Sequence, residues 1–399
     1  MDRELRGEAS RRRLVASYIA AAFLFMASLY VYVPTLSVYV ASKTGDLAVV
    51  GIVLSMYGLW QAVIRLPLGI VADRVGRRKP FIIGGFLFSA LGALTMGLAH
   101  DTAGLALGRA FTGFAAGAWV LLVVGLSSLF PPEEAVRASA IVSAVSAIAR
   151  VIATSVTGTL NTVGGYTLPF MVAIGIALLG LGVMLLVPER SVVSRSRSLR
   201  EVGALITRRE VLLPALLGTI LLYAVWSSTF GFTPNLANEL GASDVVLSML
   251  TSLNVAVVMA ANLATTVLAR RMDERTLVRA GFICMGLGMA VLTLARSVHH
   301  VFVGQVLMGL AAGTGYPVLM GLSIRYVEEE QRATAMGLFQ AVYAVGMFTG
   351  PWLSGILADG IGIQPMFAVT GAVCLVLGLI GARMLGVRVE SQQEVSYAD

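Results

Sequence analysis

Three arginines stand inside long apolar stretches of the chain, at Arg65, Arg109 and Arg150. An arginine at the centre of a lipid-facing helix costs about 2.5–3.5 kcal/mol on insertion scales, so these side chains must face protein or water. The aspartates and glutamates fall near the ends of the stretches, which leaves the arginines without an obvious carboxylate partner. Arg150, near the middle of its stretch, is a candidate contact for an anionic substrate. Arg65 is expected to snorkel to the nearer membrane surface.

Aromatic and amide side chains on the apolar stretches could line a cavity together with Arg150. An apolar, aromatic cavity with few polar anchors suits an amphipathic ligand. For each of these residues, ordinary helix packing is the alternative interpretation. The candidates are Tyr30, Tyr32, Trp60, Gln61, Trp119, Tyr223, Trp226, Asn254, Tyr316, Gln340 and Tyr343.

Several other chemistries lack the residues they need. The sequence contains no GxxxxGK[ST] phosphate loop, so ATP is not expected to act directly. Cys284 and Cys374 stand alone in apolar stretches, so neither a disulfide nor a metal site is expected. No nucleophile, acid pair or metal set lies at membrane depth, so we predict no enzyme activity and no cofactor.

The elements that position these residues follow from the composition. Of 399 residues, 57% are hydrophobic and 13% are charged, and the mean hydropathy is +0.85. Lipid must therefore be the solvent for most of the chain, and a helix needs about 20 apolar residues to cross it. We predict an all-α membrane protein with twelve spans, over 14–40, 47–72, 80–99, 103–129, 136–161, 166–188, 211–238, 244–269, 277–298, 300–326, 333–358 and 362–385.

The placement of charge predicts the orientation of the spans. The net charge is +7, and the basic residues concentrate at the N-terminus and in alternate connections. The opposite connections carry only Lys43 and Arg296 as cations. Under the positive-inside rule both termini should be cytoplasmic. The basic character is therefore a topology signal, and no nucleic-acid partner is expected.

The chain also contains an internal repeat. Segment 108–127, GRAFTGFAAGAWVLLVVGLS, aligns with segment 304–323, GQVLMGLAAGTGYPVLMGLS, with four glycines in matching places. We predict an N-terminal six-helix bundle over 1–188, a cytoplasmic linker over 189–210 and a C-terminal six-helix bundle over 211–399. Parallel six-span repeats are typical of transporters whose binding site lies between the halves near the middle of the bilayer.

Segment 69–80, GIVADRVGRRKP, places a knot of charge between two apolar stretches. It resembles the G-x-x-x-D-R-x-G-R-R loop of the major facilitator superfamily, and the resemblance to that family extends along the whole chain. The resemblance implies twelve helices in two pseudo-symmetric bundles, working as a monomer. It also implies a conformational latch that steadies the state closed towards the cytoplasm, in which Asp73 faces the start of the eleventh span. The latch residues are Gly69, Asp73, Arg74, Gly76, Arg77 and Arg78.

Two further motifs carry the resemblance. Arg109, followed by Gly113 and Gly117, is similar to the family motif of the fourth span, which implies a role for Arg109 in proton coupling. An arginine held by backbone carbonyls is the alternative interpretation. The eleventh span holds a glycine–proline helix-packing motif that exporters of the family carry in the fifth span, here made by Gly346, Gly350, Pro351 and Gly355.

These features favour a multi-pass protein of the cytoplasmic (inner) membrane that carries a small molecule by secondary active transport. The leading hypothesis is proton-linked export of a small amphipathic compound by rocker-switch alternating access, as in antiporters of multidrug efflux. An organic-anion carrier that uses Arg150 and Arg109 for uptake or exchange is the alternative within transport. A receptor that keeps this scaffold without transporting is the alternative outside it.

Overall fold

The computed structural model describes residues 2–131, 134–188, 205 and 207–385 of the chain. Within these ranges, the side chains of 2–10, 66, 73, 135–137, 139, 329–330 and 332–333 lie outside the description. Most of the predicted linker, 189–204 together with 206, therefore falls outside it as well.

Twelve helices in the described part of the chain are long and apolar enough to cross a membrane, as the composition predicts. No strand occurs in these residues. The helices are α1 (Asp2–Tyr30, continued by Val33–Thr44), α2 (Leu47–Val75), α3 (Lys79–Leu98), α4 (Thr102–Gly117 and Trp119–Ser127), α5 (Ala135–Gly164), α6 (Thr167–Leu186), α7 (Arg209–Ser227, Ser228–Phe232 and Thr233–Glu239), α8 (Asp244–Leu268), α9 (Glu274–Thr293), α10 (Val298–Arg325), α11 (Glu329–Ile361) and α12 (Ile363–Met384).

The two ends of the helix bundle differ in charge. One end, here called the acidic end, holds Asp46, Asp101, Asp244 and Asp359; the opposite end, with Arg77 and its neighbours, is called the basic end. Two of these aspartates begin helices, because Asp46 accepts from Val49 N at 3.0 Å and Asp101 from Gly104 N at 2.8 Å. Such caps satisfy backbone donors that a helix start leaves free.

Two helices are interrupted within the membrane-spanning region. In α1 the regular helix breaks after Tyr30, just before Pro34, and Thr157 of α5 donates to the freed Val31 carbonyl at 2.7 Å. In α7 one wide turn of π-helix precedes Pro234, which has no N–H to continue the regular ladder. Breaks of this kind persist in lipid where neighbouring protein groups satisfy the backbone.

The two halves repeat the same packing. In the first half α2 packs on α4, α3 packs on α4 and α6, and α1 packs on α5 and α6. The corresponding pairs, each six helices later, pack in the second half. Between the halves, α2 lies along α11 and α5 lies along α8. The predicted fold class, two pseudo-symmetric six-helix bundles, is confirmed.

The halves are closed against each other at the acidic end. The Asp359 carboxylate accepts from Leu47 N at 3.1 Å, which joins α11 to α2. Asp244 of α8 accepts from Asn161 Nδ2 at 2.9 Å and from the Tyr166 hydroxyl at 3.3 Å, both in the first half. Burial and the Asp244 carboxylate raise the pKa of Tyr166, in the turn before α6, to about 12, so its hydroxyl stays a donor.

Candidate functional site

Arg65 lies at the interface of the halves and does not snorkel to the surface. Its side chain is 9% exposed, and Nη1 donates to the Tyr343 hydroxyl of α11 at 3.1 Å. The expectation from the sequence is wrong here because Tyr57, Gln61 and Arg65 recur every four residues of α2. That spacing places them on one helical face, and in this fold the face is turned to the other half.

Arg109 is enclosed by tyrosines of its own half. It is 3% exposed, and its Cζ lies 4.6 Å from the ring centre of Tyr57. Tyr30, Tyr32 and Tyr57 are its electrostatic neighbours. An aromatic face attracts a cation through its quadrupole, and the attraction is strongest where water is excluded. The ring face of Tyr57 differs from the backbone carbonyls that one interpretation of the sequence places around Arg109, and the role of Arg109 in proton coupling stays a prediction.

Arg150 is the least enclosed of the three arginines. It is half-buried on α5, and its Cζ lies 5.6 Å from the ring centre of Tyr30. Its charge also reaches the Tyr316 hydroxyl of α10, in the opposite half. The residue that the sequence singles out for an anion therefore faces the interface.

The three arginines and four tyrosines form a closed circuit, here called the arginine–tyrosine ring. Arg65 interacts with Tyr57 and Tyr316, and Tyr316 packs against Tyr343 with ring centres 5.6 Å apart. Arg150 and Arg109 complete the circuit through Tyr30. The first half supplies all three cations and the second half supplies hydroxyls. The members are Tyr30, Tyr57, Arg65, Arg109, Arg150, Tyr316 and Tyr343.

The three arginines of the ring lie at different depths in the helix bundle. At 1.5 Å per residue from the acidic end of its own helix, Arg109 lies about 10 Å along α4, Arg150 about 21 Å along α5 and Arg65 about 27 Å along α2. In each of the three guanidinium groups Nε is buried without a hydrogen-bond acceptor among the described residues. A buried donor left unpaired costs about 1–3 kcal/mol. The ring thus presents cationic donors that a ligand or water can satisfy.

Aromatic side chains of α7 form a wall beside the ring. Trp226 stacks on Tyr57 with ring centres 5.2 Å apart, and Phe230 meets Tyr30 edge-on at 6.2 Å. The wide turn of α7 begins between Trp226 and Phe230, and the two rings lie 4.9 Å apart. The sequence predicts Trp226 but not Tyr57 or Phe230. The four-residue spacing of Tyr57, Gln61 and Arg65 is the signal that could have found Tyr57.

Other predicted cavity residues lie in packing contacts within one half. Trp60 stacks on Phe114 at 4.7 Å, and Trp119 stacks on Phe25 at 6.4 Å. The hydroxyl of Tyr223 lies 3.4 Å from Ser354 Oγ, and Asn254 donates to the Gln305 carbonyl at 2.9 Å. For the remaining three predicted residues, Gln61 is buried with Oε1 unpaired among the described residues, Tyr32 packs on Phe170 of its own half, and Gln340 is half-buried.

The predicted latch lies at the basic end of α2. The side chain of Asp73 is outside the described ones, so its contact with α11 stays a prediction. A Cβ on Gly69 would meet no atom within 4 Å, and Gly76 ends α2 with φ +66°. Arg74 and Arg77 are exposed, and Arg78 is half-buried.

The glycines of the other two motifs lie where helices approach closely. A Cβ on Gly113 would come within 2.7 Å of the Tyr57 carbonyl, and one on Gly117 within 2.5 Å of Ile64 of α2. Gly350 meets the Tyr223 carbonyl of α7 at 2.6 Å in the same way, and Gly346 packs on Thr219 one turn earlier. At the interface of the halves, Pro351 and Gly355 both face Gly51 of α2.

Two bundles of membrane-spanning helices around a central polar ring define a polytopic membrane transporter. The family model described as Major Facilitator Superfamily matches residues 18–234 and 215–396. The chain belongs to the major facilitator superfamily, and its homologues and fold are those of transporters, which are not enzymes.

The individual relatives YajR and MdtG align with shorter parts of the chain than the family model does. The inner membrane transport protein YajR of Escherichia coli K12 is 34% identical over 164 residues, which cover 39% of this chain and 35% of YajR. The multidrug resistance protein MdtG of Escherichia coli O1:K1 / APEC is 27% identical over 108 residues, covering 27% of this chain and 26% of MdtG. The alignments thus span about a third or less of these relatives' length.

The fold is also that of solved transporters. The crystal structure of a point mutant of the nucleoside transporter NupG matches with a TM-score of 0.81 at 16% identity, covering 93% of this chain and 100% of the NupG chain. Together with the twelve apolar helices, these findings place the chain among multi-pass membrane transporters of small molecules.

Proposed function

We propose that this transporter carries a small amphipathic organic anion between the two sides of the membrane. The observation that carries the proposal is the arginine–tyrosine ring, in which three guanidinium groups face tyrosines and two of them, Arg65 and Arg150, lie at the interface of the halves. Among the described side chains no carboxylate forms an ion pair with any of them. A cationic substrate would be repelled by these uncompensated positive charges, whereas an anionic substrate would neutralise them.

The surroundings of the ring argue for an amphipathic molecule rather than a bare ion. Trp226, Phe230 and Tyr30 present ring faces and edges next to Arg150. Ligand pockets of this composition bury apolar surface and use a few polar groups for orientation. Hydrogen bonds to a charged group contribute about 1.5–3 kcal/mol each, so the idle guanidinium donors are a strong anchor for an acidic head group.

Transport is proposed to proceed by rocker-switch alternating access. This conformation is closed at the acidic end by Asp359 and Asp244. The complementary conformation would close at the basic end, where the latch at Asp73 is proposed to act. We further propose that the basic end, with both termini, is cytoplasmic, and that the protein works as a monomer in the cytoplasmic membrane.

Proton-linked export is the second candidate. Two observations favour it: the similarity of part of the chain to MdtG, a multidrug resistance protein, and the presence of Arg109 in the fourth-span motif. In that function Arg109 would act on coupling through its tyrosine neighbours. A receptor without transport activity is distinguished from both candidates by the absence of flux in reconstituted vesicles.

The charge of the ligand is tested by a stabilisation screen of the purified protein in detergent. The probes are 2-naphthoate, 2-naphthylmethylamine and 2-naphthalenemethanol, which share a ring system and differ in charge. A ligand that binds only the folded state raises the melting temperature with its concentration. We expect 2-naphthoate to raise it, Arg150→Gln to abolish the effect, and Arg279→Gln, at an exposed arginine of α9, to keep it. Stabilisation by the amine instead of the carboxylate would overturn the proposal.

A further inference from the structure

Two of the ring's arginines converge on one side chain of the opposite half. Arg65 on α2 donates from Nη1 to the Tyr343 hydroxyl at 3.1 Å, and the Tyr343 ring packs 5.6 Å from the ring of Tyr316 on α10. Arg65 and Arg150, on α5, are both electrostatic neighbours of the Tyr316 hydroxyl. Arg109 does not belong to this group, because its neighbours Tyr30, Tyr32 and Tyr57 come from its own half. The ring therefore contains a smaller cluster of two cations and one hydroxyl that spans the interface.

The donors of this cluster are not fully used. Arg65 donates a hydrogen bond from Nη1 to the Tyr343 hydroxyl, and its Nε is buried without an acceptor among the described residues. Arg150 lies over the Tyr30 ring and likewise holds a buried, unpaired Nε. Arg65 is almost wholly removed from solvent, so water is a limited alternative acceptor there. Two guanidinium groups thus leave idle donors around one hydroxyl.

The charge of the cluster specifies the charge of its ligand. Two guanidinium groups stay ionised at every physiological pH, and the described neighbours of Arg65 and Arg150 are neutral tyrosines. A head group with one negative charge would leave one cation uncompensated in a site of low polarity. A head group with two negative charges and several oxygens would balance both cations and accept hydrogen bonds from both guanidinium groups.

We propose that Arg65, Arg150 and Tyr316 form a subsite for a doubly charged oxyanion head, such as a phosphate monoester, carried on an aromatic or apolar body. The inference rests on the proposed transport of organic anions and narrows its substrate class. The body of the ligand would lie against Tyr30 and Phe230, whose rings meet edge-on at 6.2 Å beside Arg150. The Tyr316 hydroxyl would donate a hydrogen bond to the head group and so connect the substrate to the second half.

Phenyl phosphate and phenyl sulfate test the proposal because they share a body and a tetrahedral head and differ by one charge above about pH 7. Binding is followed in detergent by the fluorescence of the tryptophans, one of which, Trp226, stacks on Tyr57 beside the ring. At pH 8 we expect phenyl phosphate to bind at least about tenfold more tightly than phenyl sulfate, a difference of about 1.4 kcal/mol. The ratio should fall towards one in Arg65→Gln and in Arg150→Gln, and should persist in Arg279→Gln.

The same pair of ligands provides a pH test. A phosphate monoester loses its second charge near pH 6, whereas phenyl sulfate keeps a single charge throughout. Among the described side chains, the titratable groups that face the subsite are tyrosines and arginines, residue types that do not ordinarily titrate between pH 5 and 8. We therefore expect the tenfold preference to disappear as the pH is lowered from 8 to 5.

The outcomes separate this inference from the function on which it rests. Equal affinity for the two ligands at pH 8, with both lost in Arg150→Gln, overturns the doubly charged head and leaves anion transport standing. Failure of both ligands to bind, together with binding of 2-naphthylmethylamine, overturns both. If the arginine variants misfold, Tyr316→Phe serves instead, because it keeps the aromatic ring at position 316 and removes only the hydroxyl. It should weaken the binding of phenyl phosphate more than the binding of phenyl sulfate. Equal weakening of the two ligands would contradict the proposal.

Discussion

At the scale of single residues, the problem this chain solves is how to keep arginine inside a membrane protein. Tyrosine is the partner for each of the three arginines. Its ring face attracts the guanidinium, as Tyr57 does for Arg109 at 4.6 Å. Its hydroxyl can also accept, as Tyr343 does from Arg65 at 3.1 Å. Neutral partners leave the net positive charge in place, and this residual charge is what an anionic substrate can use.

The ring face of Tyr57, rather than its hydroxyl, should hold Arg109. Tyr57→Phe retains the face, so we expect its melting temperature in detergent to stay close to that of the unmodified protein. Tyr57→Leu loses the cation–π contact, worth about 2 kcal/mol when desolvated, and also the stack on Trp226. Its melting temperature should therefore be several degrees lower. Equal losses in the two variants would show that the hydroxyl is the group that matters.

Sequence reasoning at this scale finds which residues are unusual but not which way they point. The rarity of charge in apolar stretches identifies Arg65, Arg109 and Arg150 before any fold is known. The predicted direction of the Arg65 side chain is wrong, because snorkelling assumes that the helix face meets lipid, whereas this face of α2 meets α11. Trp60 and Trp119 stack on Phe114 and Phe25 of their own half, and an aromatic residue on a helix fits a cavity and a packing contact equally well, so their place in a cavity stays a prediction.

At the scale of helices, function depends on where α2 and α11 can touch. The latch motif draws attention to Gly69, but in this conformation the close approach lies nearer the acidic end. There a Cβ on Gly51 would come within 2.9 Å of Gly355 Cα. About two turns further along α2, Gly58 packs on the backbone of Met347. Small residues allow such contact in membranes, where helices associate through packing.

An added methyl group at Gly355 should open the acidic end. In Gly355→Ala the new Cβ would lie 2.7 Å from the Leu47 carbonyl and 2.8 Å from Gly51 Cα, so the helices must separate. We expect this variant to populate the conformation closed at the basic end. Gly182→Ala on α6 is the matched control, because a Cβ there meets nothing within 4 Å.

The opening is measured through a cysteine between the halves. Ser248, buried on α8, accepts from Gly158 N of α5 at 2.6 Å. In a chain with Cys284→Ala and Cys374→Ala, maleimide labelling of Ser248→Cys should become faster in Gly355→Ala and stay unchanged in Gly182→Ala. A labelling rate that Gly355→Ala does not alter would mean that the glycine contact is not what closes this end.

At the scale of the whole molecule, the sequence predicts the architecture well. Apolar stretches of the right length give the twelve spans, and the glycine pattern shared by 108–127 and 304–323 indicates two related halves. Hydropathy and repeats report on each half by itself. The interface between the halves depends on long-range geometry that no local pattern encodes. Thus Asp244 and Tyr316 take on their roles only once α8 and α10 are placed against the first half.

Passage of an organic anion across the membrane through the arginine–tyrosine ring can be measured as flux in proteoliposomes. Uptake of radiolabelled 2-naphthoate is followed for the unmodified protein, Arg150→Gln and Arg279→Gln, each with and without an imposed pH gradient. We predict saturable uptake that falls at least about tenfold in Arg150→Gln and persists in Arg279→Gln, a loss of about 1.4 kcal/mol or more. Stimulation by the gradient would support proton coupling in addition. Undiminished uptake by Arg150→Gln, or none by the unmodified protein, would show that the ring is not the path of an anionic substrate.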